Sequence, residues 1–197
     1  MLKSKQRSLH NKRGFTLVEV IVVVAILAIC SGMLVGVIAG SVDRYSKASD
    51  IESCKQESIN FEEYYKKCVR GAFAITQEAD FSSSGFTTQE NFYYMIISPQ
   101  NHSIRFAMAN DSGGFSNLIT CNYVDSIKYK TNNVGKEDSQ TYMDYQISMR
   151  SGYQPGVTYD YPGTVIMNNG AAVTVPETEY VLDNMTDDVC ISFRMVP

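Results

Sequence analysis

Residues 14–40 read GFTLVEVIVVVAILAICSGMLVGVIAG, and this stretch decides what kind of molecule the chain can be. Phe15 to Gly40 is 26 residues with a single charge, Glu19. About 20 apolar residues suffice for a helix to cross a bilayer, so the run is long enough. In front of it, residues 1–14 (MLKSKQRSLHNKRG) carry Lys3, Lys5, Arg7, Lys12 and Arg13 and no acid. Basic flanks stay cytoplasmic, which keeps the leader inside and places residues 41–197 outside. A secretory signal has a shorter apolar core closed by small residues at its cut site. Here the run is too long and no such site closes it. On topology alone, an uncleaved membrane-anchored binding protein remains open.

Two details bear on that alternative. Gly14-Phe15, a small residue before an aromatic one, stands where the basic leader meets the apolar run. Glu19 lies just inside the run, where a carboxylate near a bilayer centre costs about 2.5–3.5 kcal/mol and usually marks function. At ~1.5 Å per helical residue, Glu19 is about 6–8 Å from Gly14, close enough to the headgroups for insertion. A cut before Phe15 would create an ammonium four residues away, a partner for the carboxylate.

Leader, Gly14-Phe15-Thr16-Leu17-Val18-Glu19-Val20 and apolar run, in this order, resemble the prepilin signal of the type IV pilin family, which includes the pseudopilins of secretion and competence systems. The resemblance covers roughly the first 40 residues. It implies a prepilin peptidase that cuts after Gly14 on the cytoplasmic side and methylates the Phe15 amine. It also implies that Glu19 neutralises the Phe15 amine of a neighbouring subunit, with other pilin subunits and a membrane assembly platform as partners. The expected localisation is the cytoplasmic membrane, then a surface or extracellular filament. A minor pilin acting in priming, adhesion or DNA uptake is the alternative.

Gly32, Gly36 and Gly40 recur every fourth residue and stack on one helical face. Such spacing permits close helix approach, and each glycine also weakens the helix by about 1 kcal/mol relative to alanine. From Ser41 to Arg70 there is neither glycine nor proline, and no proline precedes Pro99. Ala48, Ile51, Cys54, Ser58, Phe61, Tyr65 and Cys68 step by threes and fours, a helical stripe facing a partner surface. Glu62–Lys66 and Glu63–Lys67 add favourable i,i+4 pairs, and Gly71 is a natural stop. One helix from Phe15 to about Arg70 is longer than any compact domain needs; a filament subunit needs it.

Residues 72–197 turn toward Tyr, Thr, Ser, Asn and β-branched types. Expected strands are Phe92–Ser98, Ser103–Ala109, Leu118–Tyr129, Thr141–Arg150, Thr164–Met167 and Cys190–Val196, with a turn at Pro99–His102. Loops are expected at Ser82–Thr88, Asp111–Ser116, Asn132–Ser139 and Ser151–Gly163. The fold class is α+β: a long helix, transmembrane then amphipathic, packed on an antiparallel β-sheet, pilin-like. The organisation is leader 1–14, apolar helix 15–40, amphipathic helix 41–71 and external β-rich domain 72–197.

Composition narrows the function further. The 197 residues carry a formal charge of −4, and removing the five leader cations leaves −9, so bulk nucleic-acid binding is not expected. No nucleophile elbow, phosphate loop or dinucleotide fingerprint appears, and the chain reads as a non-enzyme without cofactor. Its five cysteines lack zinc spacing. Asp187 and Asp188 beside Asn184 are too weak a pattern for calcium. His102 is expected to be exposed in its turn. Cys54 and Cys68, about 21 Å apart on one helix, cannot bond each other. Cys121 and Cys190 could pair if their strands are neighbours; free buried thiols are the other possibility.

Overall fold

The computed structural model describes residues 15–78, 81, 88–110, 112–133, 141–168, 172–173 and 178–195. The leader with Gly14, most of the Ser82–Thr88 stretch and most of the 132–139 loop lie outside the described residues. The chain divides into two compact units, one up to Tyr45 and one from Ser46 onward.

A single helix, α1, runs Leu17–Gly71, as the absence of proline allows. In the first unit its apolar side chains are exposed throughout. In the second, Cys54, Ser58, Phe61, Tyr65 and Cys68 of the expected stripe are buried, with Val69. The stripe begins later than its sequence spacing suggests: Ala48 and Ile51 are exposed, because the strands cover the helix only from Cys54. Glu62 and Lys66 form the expected ion pair, and Lys67 lies 5.6 Å over the Tyr93 ring. The helix ends at Gly71, where an added Cβ would lie 2.6 Å from Cε at the tip of the Met195 side chain.

Ten strands follow: β1 Ala72–Gln77, β2 Phe92–Ser98, β3 Ser103–Ala109, β4 Phe115–Cys121, β5 Val124–Asn133, β6 Thr141–Arg150, β7 Thr158–Ile166, β8 Ala172–Val173, β9 Thr178–Val181 and β10 Val189–Met195. They form two sheets where one was expected, in the orders β4-β3-β2-β10-β1-β8 and β7-β6-β5-β9. All pairings are antiparallel except the short β1–β8 pair. β2, β3 and β6 fall where expected, and the β2–β3 turn is a 3-10 turn, Pro99–Asn101, closed by His102 in the left-handed region.

The expected strand Leu118–Tyr129 is broken. Asn122 and Tyr123 form a corner that carries the chain from the six-stranded to the four-stranded sheet, with Tyr123 at φ 61. The loop expected at Ser151–Gly163 ends in β7, whose Tyr159 and Tyr161 are half-buried against the core. β1, β8 and β9 were not anticipated.

The helix fills the core by inserting Phe61 and Tyr65 between the sheets. Phe61 stacks on Tyr65 (5.1 Å) and meets Phe106 at 5.7 Å and Tyr145 at 5.6 Å; Tyr65 meets Tyr145 at 4.9 Å and Phe193 at 6.4 Å. Polar closure comes from Tyr129 Oη donating to Tyr180 Oη and Tyr180 Oη to Gln77 Oε1, both 2.9 Å, which ties β5 and β9 to β1. The outer face of the six-stranded sheet holds a smaller cluster, Tyr94, Ile96 and Cys190, under Phe81, Phe92 and Phe115.

All five cysteines are free thiols, Cys30 exposed and the others buried. β4 and β10 are separated by β3 and β2. Cys121 lies in register with Ile104 and Ile97, whereas Cys190 pairs with Ile96, which points to the other face. Cys121 and Cys190 therefore cannot bridge.

Candidate assembly site

The sequence reads Thr16-Leu17-Val18-Glu19, and the helix begins at Leu17. Thr16 is the residue before the first turn and Glu19 is the third within it. The Glu19 N–H donates to Thr16 Oγ1 at 3.2 Å, while Glu19 Oε2 accepts from the Thr16 N–H at 2.8 Å and from its hydroxyl at 2.9 Å. This is a capping box: each residue satisfies a backbone donor that the helix start leaves free. The carboxylate also meets the positive end of the helix dipole. Sequence reasoning treated Glu19 as lacking a partner; it has a local one. The T-x-x-E spacing was the legible signal. The box uses the Thr16 amide, so it needs no free amine at Phe15. Phe15 itself is 84% exposed.

Gly32, Gly36 and Gly40 lie within α1, and a Cβ added to any of them would meet nothing within 4 Å. Among the described residues, no packing requires glycine there. Ser31 and Ser41 turn their hydroxyls back to the Leu27 and Val37 carbonyls, each at 2.7 Å, so the polar atoms of this stretch are satisfied along the helix. What the first unit offers outward is apolar surface with one capped carboxylate at its start. By length and composition α1 is able to cross a membrane, and with the leader motif this suggests membrane anchoring.

Among its described residues the second unit holds no comparable chemical constellation. His102 is half-buried rather than simply exposed, because its Nε2 lies 3.4 Å from Arg150 Nη1 and 3.5 Å from Asp183 Oδ1. Arg150 in turn donates to Asp125 at 3.0 Å and to Asp183 at 2.6 Å, a cluster that closes one end of the sheets. A groove of about 540 Å³ is lined by Lys128, Lys130, Asp144, Gln146 and Thr164. Its charges are already answered, Asp144 by the Thr164 hydroxyl at 2.6 Å and Lys128 by Glu179 at 3.6 Å. Asp187 accepts from the Thr186 hydroxyl, and among the described residues no group of three His, Cys, Asp or Glu side chains is placed to hold a metal. The buried thiols Cys68, Cys121 and Cys190 are pushed by desolvation from 9.0 up to about 12, the opposite of nucleophile activation.

Residues 9–35 match the family model of the prokaryotic N-terminal methylation motif. No curated protein matches the sequence. In structure the chain is similar to the PilB minor pilin from Streptococcus sanguinis, with a TM-score of 0.50 at 13% identity, over 77% of this chain and 35% of that one. The D319A mutant of that pilin aligns at TM-score 0.46 and 14% identity, over 76% and 34%. The chain thus spans about a third of the length of those proteins. Fold and motif are of a structural rather than a catalytic kind. A long N-terminal helix, antiparallel sheets packed on its later part and the methylation motif at its start are similar to those of a type IV pilin.

Proposed function

We propose that the chain is a structural subunit of a type IV pilus-like or pseudopilus filament, inserted in the membrane as a prepilin, cut by a prepilin peptidase between Gly14 and Phe15 and methylated on Phe15. Residues 1–14 are then the removed leader, 15–40 the filament-core helix, 41–71 its amphipathic continuation and 72–197 the extracytoplasmic domain. The observation that carries this function is the first unit itself: an apolar helix that no other described residue covers, opening on a capped carboxylate within a methylation motif.

Cutting would strip five cations and place an ammonium one residue before the capping box. Glu19 then has a second possible partner, the Phe15 amine of an adjacent subunit. Such a pair adds little against an apolar alternative, but losing one partner costs about 3–5 kcal/mol, so it sets register more than it binds. Glu19→Ala is expected to leave the protein inserted in the membrane yet poorly assembled. Normal yield of sheared filaments from that variant would refute the role given to Glu19.

The likeness to a minor pilin supports a second possibility, a low-abundance subunit acting in priming, adhesion or DNA uptake alongside other pilin subunits and the assembly platform. The fraction of filament mass contributed by this chain separates the two: a major subunit dominates, a minor one is a trace.

A further inference from the structure

At the end of the second unit where α1 stops, the turn before β2 faces the loop between β3 and β4. Between them lies a hollow of about 520 Å³. Its floor is apolar: Tyr93 and Met108, cross-strand neighbours on β2 and β3, with Met195 beside them. Met108 is 40% exposed, a large apolar side chain left open to this hollow. The rim is polar, with Glu90 and Asn91 from the turn and Asn110 from the loop.

The two sides are fixed to each other. The Thr88 N–H donates to the Gly113 carbonyl and the Thr88 hydroxyl to the Gly114 carbonyl, each at 3.0 Å. Asn91 holds φ 61, and its carbonyl accepts from the Met195 N–H at 2.9 Å. Asn110 Oδ1 accepts from the Ser112 and Gly114 N–H groups at 3.1 and 2.8 Å, which leaves Nδ2 as an unspent donor. Among the described residues, no hydrogen bond or ion pair engages the Glu90 carboxylate or the Asn91 carboxamide. Polar groups carried on a backbone already tied down lose little freedom on binding.

This set of groups selects a ligand class. A phosphate or carboxylate would meet Glu90 with no basic residue in the described lining to answer it; Lys67, 5.6 Å over the Tyr93 ring, stands outside that lining. An ammonium would use Glu90 alone. A wholly apolar ligand would strip water from the rim and return no hydrogen bond. A sugar ring answers both surfaces. Its C–H face rests on the apolar floor, while its hydroxyls donate to a carboxylate and both donate to and accept from carboxamides. The volume is within the range of about 300–1,000 Å³ that ligand pockets occupy.

We propose that this hollow binds an uncharged oligosaccharide, with Glu90, Asn91 and Asn110 on its hydroxyls and Tyr93 and Met108 beneath a ring. The site goes beyond the filament function above, since a major and a minor subunit would carry it alike.

Saturation-transfer NMR tests it on the full chain, held in a detergent without a sugar headgroup. The probes are maltotriose, cellotriose and triacetylchitotriose, with sialyllactose and trilysine as charged counterparts. The expected result is transfer to the ring protons of at least one uncharged trisaccharide and none to the charged probes. Asn91→Gly keeps the left-handed backbone and removes the carboxamide; Glu90→Ala removes the carboxylate from an exposed turn. Each should weaken binding of that trisaccharide roughly tenfold with an unchanged thermal melt. No transfer to any uncharged trisaccharide, a preference for sialyllactose or trilysine, or undiminished binding in either variant overturns the site and leaves the filament function standing.

Discussion

Glu19 does two separable things, and one substitution divides them. As the third residue of the capping box it accepts from the Thr16 amide; as a charge it is available to an ammonium. Glutamine serves a capping box as well as glutamate does, so Glu19→Gln should preserve the helix start and membrane level. It should still lose filament yield to nearly the extent of Glu19→Ala, because the charge is gone. Equal yields for Glu19→Gln and wild type, measured by shearing and blotting, would assign Glu19 to capping alone. Thr16→Ala removes only the hydroxyl side of the box, a loss of about 1 kcal/mol, and should assemble better than either. The neighbouring case is Gly163. A Cβ there would collide with the Tyr145 ring, and overpacking a core costs about 1–3 kcal/mol, so Gly163→Ala should lower the Tm in a thermal melt. Tyr123→Gly points the other way: it relieves a left-handed backbone worth about 1–2 kcal/mol, so the melt should be unchanged or higher.

At the scale of elements, the sequence made most of the helix legible and less of the sheets. The helix was readable because periodicity, absent proline and the apolar run all agree over 55 residues. Its stripe was misjudged at Ala48 and Ile51, since spacing says which face is apolar but not how far another element reaches along it. Strands β2, β3 and β6 stood out by composition and bounding turns. β4 and β5 were read as one strand because Leu118–Tyr129 is apolar or β-branched but for four residues, and the corner needs a left-handed residue that tyrosine does not advertise. β1 was missed because Gly71 hands the helix directly to a strand with no intervening turn residues. The capping box is legible in the T-x-x-E spacing of Thr16 and Glu19, although a single carboxylate in an apolar run reads first as a charge. Which cysteines face each other depends on strand order, and no local pattern encodes that.

For the whole molecule, buried acids set the response to pH. Cys68, Cys121 and Cys190 have folded values raised from 9.0 to about 12, through burial away from water. In the unfolded chain these thiols lose their protons first, so raising the pH favours unfolding. Stability should be fully present below pH 9 and decline progressively as pH rises toward 12; a Tm that stays flat across that window would contradict the burial of these groups. The same burial predicts that a water-soluble thiol reagent at neutral pH leaves Cys54, Cys68, Cys121 and Cys190 unmodified in the folded, detergent-held protein and titrates them after denaturation. The central claim is that one cut turns a membrane-held precursor into a filament subunit, and mass spectrometry of the chain recovered from sheared filaments tests it most directly. The predicted species begins at Phe15 with a methylated amine. A filament-borne chain that still begins at Met1, or a chain that stays in the membrane and never enters filaments, would contradict it.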